Sequence, residues 1–183
     1  MTSGVMPSRH PFKPMPAPVQ IRPGGPEDLD RLEPLWVSVH HVHVEAMPEL
    51  APYVDDATTW AERRVVYIEL LAKPDTVLLL AAVEDELVGY GLAHVMRAEE
   101  TWVPDTWVTG PRIGEIESLA VLPAHRGLGL GTELLEGLEG ALRAQGVTDL
   151  VIGVLPGNDG AVRMYERRGY RPTWMYLSRF DGR

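Results

Sequence analysis

The sequence predicts an α/β layered domain, and three observations predict it. Short apolar runs bounded by Gly, Pro and acidic residues recur along the chain, as strands do. Between them stand stretches with apolar residues at helical spacing, and strands with interposed helices bury their apolar faces by stacking in layers. The third observation is one junction, "ESLAVLPAHRGLGLGTELL", in which a strand runs through a glycine loop into a helix.

Taken in order, residues 19–22 alternate apolar and polar and predict a first strand. "GGPEDLDRLEPLW" supplies a break, a proline and acidic residues, which is helix-start chemistry. Leu29, Leu32, Trp36, Val39 and Met47 form the stripe that follows. Pro34 fits only if the helix begins near it or kinks there. A second helix is expected over 58–72, with Ala61, Val65, Ile68 and Ala72 on one apolar face. Residues 76–96 read as two strands around an acidic turn at 84–86, and 97–114 as a polar loop carrying two tryptophans. "EIESLAVLP" is a strand stopped by Pro123. Leu134, Leu135, Leu138 and Leu142 define the next helix face. A strand and turn at 147–158, a short helix ended by Gly169, and a last strand over 171–180 complete the chain.

The 183 residues suit one domain, expected over 19–183, preceded by a Pro-rich arm over 1–18 that is expected to be disordered. That arm holds no apolar core of a secretory signal. No run of about 18 apolar residues predicts a membrane span. The chain has no cysteine, which excludes disulfides, thiolate metal sites and a Cys nucleophile, and fits a reducing cytoplasm. A net charge of −9 argues against nucleic acid as a partner and favours cationic ones.

Gly127, Gly129 and Gly131 stand directly before a helix, where free N–H groups and the macrodipole attract anions. Arg126 adds a fixed cation. A phosphate loop of the Walker type requires Lys after its last glycine, and Thr132 stands there instead. A dinucleotide fingerprint requires a third glycine where Thr132 falls, so only a degenerate match survives, with Asp149 as its acidic partner.

The pattern Arg/Gln-x-x-Gly-x-Gly/Ala is met by Arg126, Gly129 and Gly131, and "VLPGNDGAVRMYERRGYRP" follows at the expected separation. On these motifs, which span about a third of the chain, the sequence resembles the GNAT superfamily of acyl-CoA N-acyltransferases. The resemblance implies a GNAT-type mixed, largely antiparallel sheet, splayed in the middle, with helices on both faces. It implies acetyl-CoA as co-substrate and no metal. Main-chain groups of Leu119, Ala120 and Val121 would meet the pantetheine arm. The N–H groups of Arg126, Gly127, Leu128, Gly129, Leu130, Gly131 and Thr132 would cradle the pyrophosphate, and Asn158 would bond the arm from the other side. Arg163, Arg167, Arg168 and Arg171 would supply a cation for the remaining phosphate. Tyr165, seven residues after Asn158, would be the general acid toward the departing thiolate.

For the base, Glu115 and Glu117 are the candidates. Alternation puts both on one face with Leu119 and Val121, and a β-bulge, frequent here in the family, would break that parity. "HHVHVE" places His40, His41, His43 and Glu45 near the acceptor site, but its spacing does not converge three ligands on a metal. Glu99, Glu100 and Asp105 with Trp102 and Trp107 suit a cationic amine. The expected function is acetyl transfer from acetyl-CoA to a primary amine of a small molecule or peptide, and the resemblance also allows a homodimer. The alternatives are a catalytically silent acyl-CoA-binding or regulatory domain and, more weakly, a dinucleotide-binding protein.

Overall fold

The computed structural model describes residues 18–181, so all of the expected Pro-rich arm but Pro18 lies outside the described residues. Five strands form one sheet in sequence order: β1 (Val19–Pro23), β2 (Val77–Val83), β3 (Glu86–Arg97), β4 (Arg112–Val121) and β5 (Asp149–Ile152). The first four pair antiparallel, and β5 joins β4 in parallel. Four helices cover the sheet: α1 (Glu33–Ala46), α2 (Asp56–Leu71), α3 (Leu130–Ala144) and α4 (Asp159–Arg167).

Each face of the sheet has its own core. On one, Leu80, Tyr90 and Leu92 pack with Leu35, Trp36, Trp60 and Tyr67 of α1 and α2. On the other, Ala93 and Ile116 pack with Leu135, Leu138 and Leu142 of α3 and with Tyr165 of α4. The stripe from Leu29 to Trp36 is buried as expected, but it spans a 3₁₀ turn over Pro26–Leu32 before α1 begins. Pro34 lies in the first turn of α1, where its missing N–H is not needed.

Two expectations fail. In α2, Val65 and Ile68 are 56% and 46% exposed, while Trp60, Tyr67 and Leu70 are buried. The rings of Trp60 and Tyr67 bury more area than the aliphatic face, and they set the rotation of the helix. Residues 170–181 form no strand. Pro172 cannot donate to a ladder, and Trp174 packs edge-on against Trp102 and Trp107, with ring centres 5.7 and 6.5 Å away.

The site is positioned where β4 and β5 part. They pair only where 113–116 face 149–152. β4 then runs on to Val121 after β5 has ended, so the sheet opens between them.

Candidate active site

At the top of the opening, Gly127 and Gly129 adopt φ of +78° and +88°. A Cβ on either would meet nothing within 4 Å, so the left-handed backbone and not crowding calls for glycine. Arg126 N–H donates to the Pro123 carbonyl at 3.3 Å and Thr132 N–H to that of Gly129 at 2.9 Å. Between them, the N–H groups of Gly127, Leu128, Gly129, Leu130 and Gly131 have no hydrogen-bond partner among the described residues. Successive free donors at the start of a fifteen-residue helix form an anion-binding concavity. The Arg126 guanidinium is held away: it donates to the Val121 carbonyl at 2.8 Å and to Ser38 Oγ at 2.9 Å, tying the loop to α1.

Along the opening, the peptide groups of β4 alternate in direction. Leu122 N–H donates to the Val88 carbonyl, and the Ala120 carbonyl also points at β3, beside Gly89. Leu119 and Val121 therefore present their main-chain groups to the open edge, while those of Ala120 are turned inward. The expected trio narrows to Leu119 and Val121, and the Val121 carbonyl is already engaged by Arg126.

The pairing of β3 with β4 shifts between Leu92 and Ala93, which leaves Glu117 as an extra residue opposite neither. This bulge breaks the strict alternation. Glu115 and Glu117 face the α1/α2 side with Ser118, while Leu119 and Val121 pack toward α3. His94 of β3 lies between the two carboxylates. Its Nε2 is 3.3 Å from Glu115 Oε2 and 3.8 Å from Glu117 Oε2. Arg63 of α2 pairs with Glu117 Oε1, and its guanidinium lies 4.0 Å from the centre of the Trp36 ring. The two glutamates raise the imidazole pKa to about 9, against its burial. Burial pushes the Glu117 carboxyl up, but bonds to His94 and Arg63 outweigh it and hold it below its ordinary value. The ligand atoms of His94, Glu115 and Glu117 lie within 4.8 Å of one another. A metal ion would compete there with Arg63 and an imidazolium, which already balance both negative charges. Sequence reading missed His94 and Arg63, because only the β3–β4 register and the rotation of α2 bring them to the glutamates.

Tyr165 approaches from the opposite face, in the cluster that holds Ile116 and against which Leu119 and Ile152, at the border of the opening, also pack. Burial raises its phenol to a pKa of about 12. The Asn158 carbonyl oxygen caps α4, accepting from Ala161 N–H at 3.3 Å. Arg168 is drawn away to Glu136 and Glu139 on α3, at 2.5 and 2.6 Å. Arg163, Arg167 and Arg171 line a surface concavity with Glu166. The histidines of α1 do not converge: His40 Nε2 lies 3.0 Å from the Val54 carbonyl, His41 Nε2 lies 2.9 Å from Asp56, and His43 stands edge-on to Trp36. Trp102 and Trp107 pack edge-to-face, 5.8 Å apart, on the polar loop.

Known proteins resemble this chain in sequence and in fold. The chain is 31% identical over 163 residues to a mycothiol acetyltransferase of Frankia casuarinae, an alignment that covers 85% of this chain and 42% of that protein. It thus spans less than half the length of that relative. It is 26% identical to an IAA acetyltransferase of Azospirillum brasilense, covering 69% of this chain and 75% of that one. In fold it is similar to a GCN5-related N-acetyltransferase from Ralstonia eutropha, with a TM-score of 0.71, 18% identity and coverage of 90% and 100%. It is also similar to a predicted acetyltransferase from Clostridium acetobutylicum solved with acetyl-CoA, with a TM-score of 0.65, 17% identity and coverage of 87% and 96%. A model of the acetyltransferase (GNAT) family matches residues 36–170, and the chain belongs to that family.

Proposed function

We propose that the protein is an N-acetyltransferase that moves the acetyl group of acetyl-CoA to a primary amine. The observation that carries this reading is the opening between β4 and β5, with free amides at its top, two carboxylates on one side and a phenol on the other.

The five amides of residues 127–131 hold the pyrophosphate, and the open edges of Leu119 and Val121 hold the pantetheine arm. Asn158 serves through its amide nitrogen, since its oxygen caps α4. Arg163, Arg167 and Arg171 meet the ribose phosphate. An alkylammonium, with pKa near ~10.4, must lose a proton before it can attack, and a carboxylate of β4 takes it. The free amine then adds to the thioester carbonyl, and the carbon–sulfur bond breaks. Tyr165, kept protonated by burial, passes its proton to the departing sulfur as it accepts the second proton of the nitrogen. A relay of this kind never accumulates a phenolate.

The acceptor is a cationic amine, carried by a small molecule or a peptide, drawn by the acidic chain and by Glu99, Glu100 and Asp105 beside the tryptophans. No helix among the described residues is long and apolar enough to cross a membrane. We place the protein in the cytoplasm, with which a chain free of cysteine is compatible. A homodimer belongs to the same reading, with Val65, Val66 and Ile68 as exposed apolar surface. A thiol-release screen with acetyl-CoA over a broad amine panel tests the activity. Tight CoA binding without turnover on any amine would leave a silent acyl-CoA-binding domain instead.

A further inference from the structure

We propose that His94 is a positioning residue that, with Arg63, immobilises Glu117 as a structural anion and leaves Glu115 as the carboxylate that takes the proton of the amine. The proposal rests on the N-acetyltransferase reading above and decides between its two candidate bases.

The geometry separates the two glutamates. Glu117 has a cation at each oxygen: Arg63 pairs with Oε1, and His94 Nε2 stands 3.8 Å from Oε2. Arg63 is itself fixed, lying 4.0 Å from the ring centre of Trp36 and 5.6 Å from that of Tyr67. A carboxylate paired on one oxygen and flanked by a second cation at the other has little affinity left for a proton. Glu115 shares only His94, and its side chain is 33% exposed against 19% for Glu117. It can therefore meet an incoming ammonium on its free oxygen.

His94 is suited to hold this pair and unsuited to act as the base. It faces Glu115 directly in the β3–β4 register, and its side chain is 8% exposed. Its Nδ1 is buried with no hydrogen-bond partner among the described residues, so the two carboxylates are what orient the ring. Raised to about 9, the imidazole is an imidazolium at neutral pH and has no lone pair to offer. Three further titratable groups on this side are pushed toward their neutral forms. Burial raises both Tyr67, whose hydroxyl donates to Ser118 Oγ, and Tyr90, and it lowers His43.

The step balances. Glu115 takes one proton from the ammonium, the freed lone pair attacks the acetyl carbon, and the partly exposed carboxyl returns that proton to water. His94 and Arg63 keep their protons throughout.

Two measurements on the full chain test this. The first needs no acceptor: imidazole NMR titration follows His94. An apparent pKa near 9 is expected, falling in Glu115→Gln and in Glu117→Gln. A value near that of free histidine in the wild-type protein overturns the proposal whether or not an amine is ever acetylated. The second uses the best amine of the thiol-release screen and follows kcat/KM against pH. Glu115→Gln is expected to abolish the acidic limb of the profile. Glu117→Gln is expected to lower the rate but keep the limb. His94→Leu is expected to lower kcat about 10- to 100-fold and move the limb to higher pH, with CoA affinity held within about twofold. His94→Gln, which can still bridge the pair, is expected to fall between His94→Leu and the wild type. Loss of the limb in Glu117→Gln with its survival in Glu115→Gln reverses the assignment, and an unchanged profile in His94→Leu removes His94 from the reaction. Absence of turnover on every amine with His94 titrating near 9 refutes the acetyltransferase reading and, with it, any catalytic role for this cluster.

Discussion

Replacing Gly129 with alanine adds one methyl group at the residue that caps the N-terminus of α3. That methyl meets no atom within 4 Å, so no clash contributes. What remains is the left-handed φ of +88°, which disfavours an L side chain by about 1–2 kcal/mol. For a chain of this length that corresponds to a fall in melting temperature of roughly 2–8 °C. Gly140→Ala is the control: it too adds a methyl into open space, but within the body of α3, where Ala is the better helix former by about 1 kcal/mol. The melting temperature of that variant is expected to rise. Relief of the strain at position 129 turns the amides of the loop out of line, so CoA affinity is expected to fall about tenfold in Gly129→Ala and to hold in Gly140→Ala. Differential scanning fluorimetry and titration calorimetry with CoA read both quantities. Equal shifts in the two variants, or a Gly129→Ala protein that melts and binds like the wild type, would refute the conformational argument.

Other perturbations reach different parts of the molecule. Tyr165→Phe is expected to lower kcat by about 10²-fold or more while CoA affinity stays within a few-fold, as stopped-flow thiol release and calorimetry can show. The double variant Arg163→Ala/Arg167→Ala is expected to weaken CoA but not 3′-dephospho-CoA, and equal weakening of both would place the ribose phosphate elsewhere. Leu138→Ala, at a fully buried position of α3, is expected to destabilise by about 2–5 kcal/mol in urea unfolding. Because the folded pKa of His94 is raised, its ion pairs stabilise the fold fully below about pH 6.5, and that contribution fades as pH rises through about 9. It amounts to about 3 kcal/mol, so thermal stability is expected to drop between pH 7 and 10, and less so in His94→Gln.

The amphipathic pattern is most readable where burial and periodicity agree. Leu134, Leu135, Leu138 and Leu142 sit on one face in sequence and pack on one side of the sheet in space, Leu134 in one cluster and the other three in its neighbour. The glycine loop is readable because positive φ leaves a compositional trace at Gly127 and Gly129, whereas Gly131 lies within α3 without that φ and contributes a free amide alone. In α2 the aliphatic residues suggest one face and the aromatic ones take another, since spacing alone does not weigh ring area against methyl groups. At 171–180 the pattern suits a strand, but no neighbour accepts one, and Trp174 is held by the indoles of Trp102 and Trp107. His94 is the least readable residue. A single histidine in an apolar strand looks like core until a register brings a glutamate opposite it.

That register also explains why the site lies where it does. Were Glu117 paired across the ladder like its neighbours, strict alternation would place the side chains of Glu115, Glu117, Leu119 and Val121 on one face. The bulge reverses the second half of the strand. Its early part turns carboxylates toward α2, where Arg63 and His94 balance them, and its later part turns Leu119 and Val121 toward α3. The parallel partner is lost at the same point, since the last β4–β5 pair is Ile116 with Ile152. The bulge thus lets Glu117 share a face with Ser118 and Glu115, which puts both carboxylates on one side of the opening, while the other side belongs to α3, α4 and Tyr165. Deletion of Glu117 therefore tests the bulge in a different way from Glu117→Gln. It makes Ile116 and Ser118 consecutive opposite Ala93 and Leu92, so alternation returns with Ser118, Leu119 and Val121 on the faces they already occupy, and what is lost is the carboxylate that pairs with Arg63. Both variants are expected to unfold cooperatively and to keep CoA affinity within a few-fold, as urea unfolding and calorimetry read. A deletion protein that no longer binds CoA would show that the local bend of the bulge, and not the facing of its side chains alone, shapes the opening.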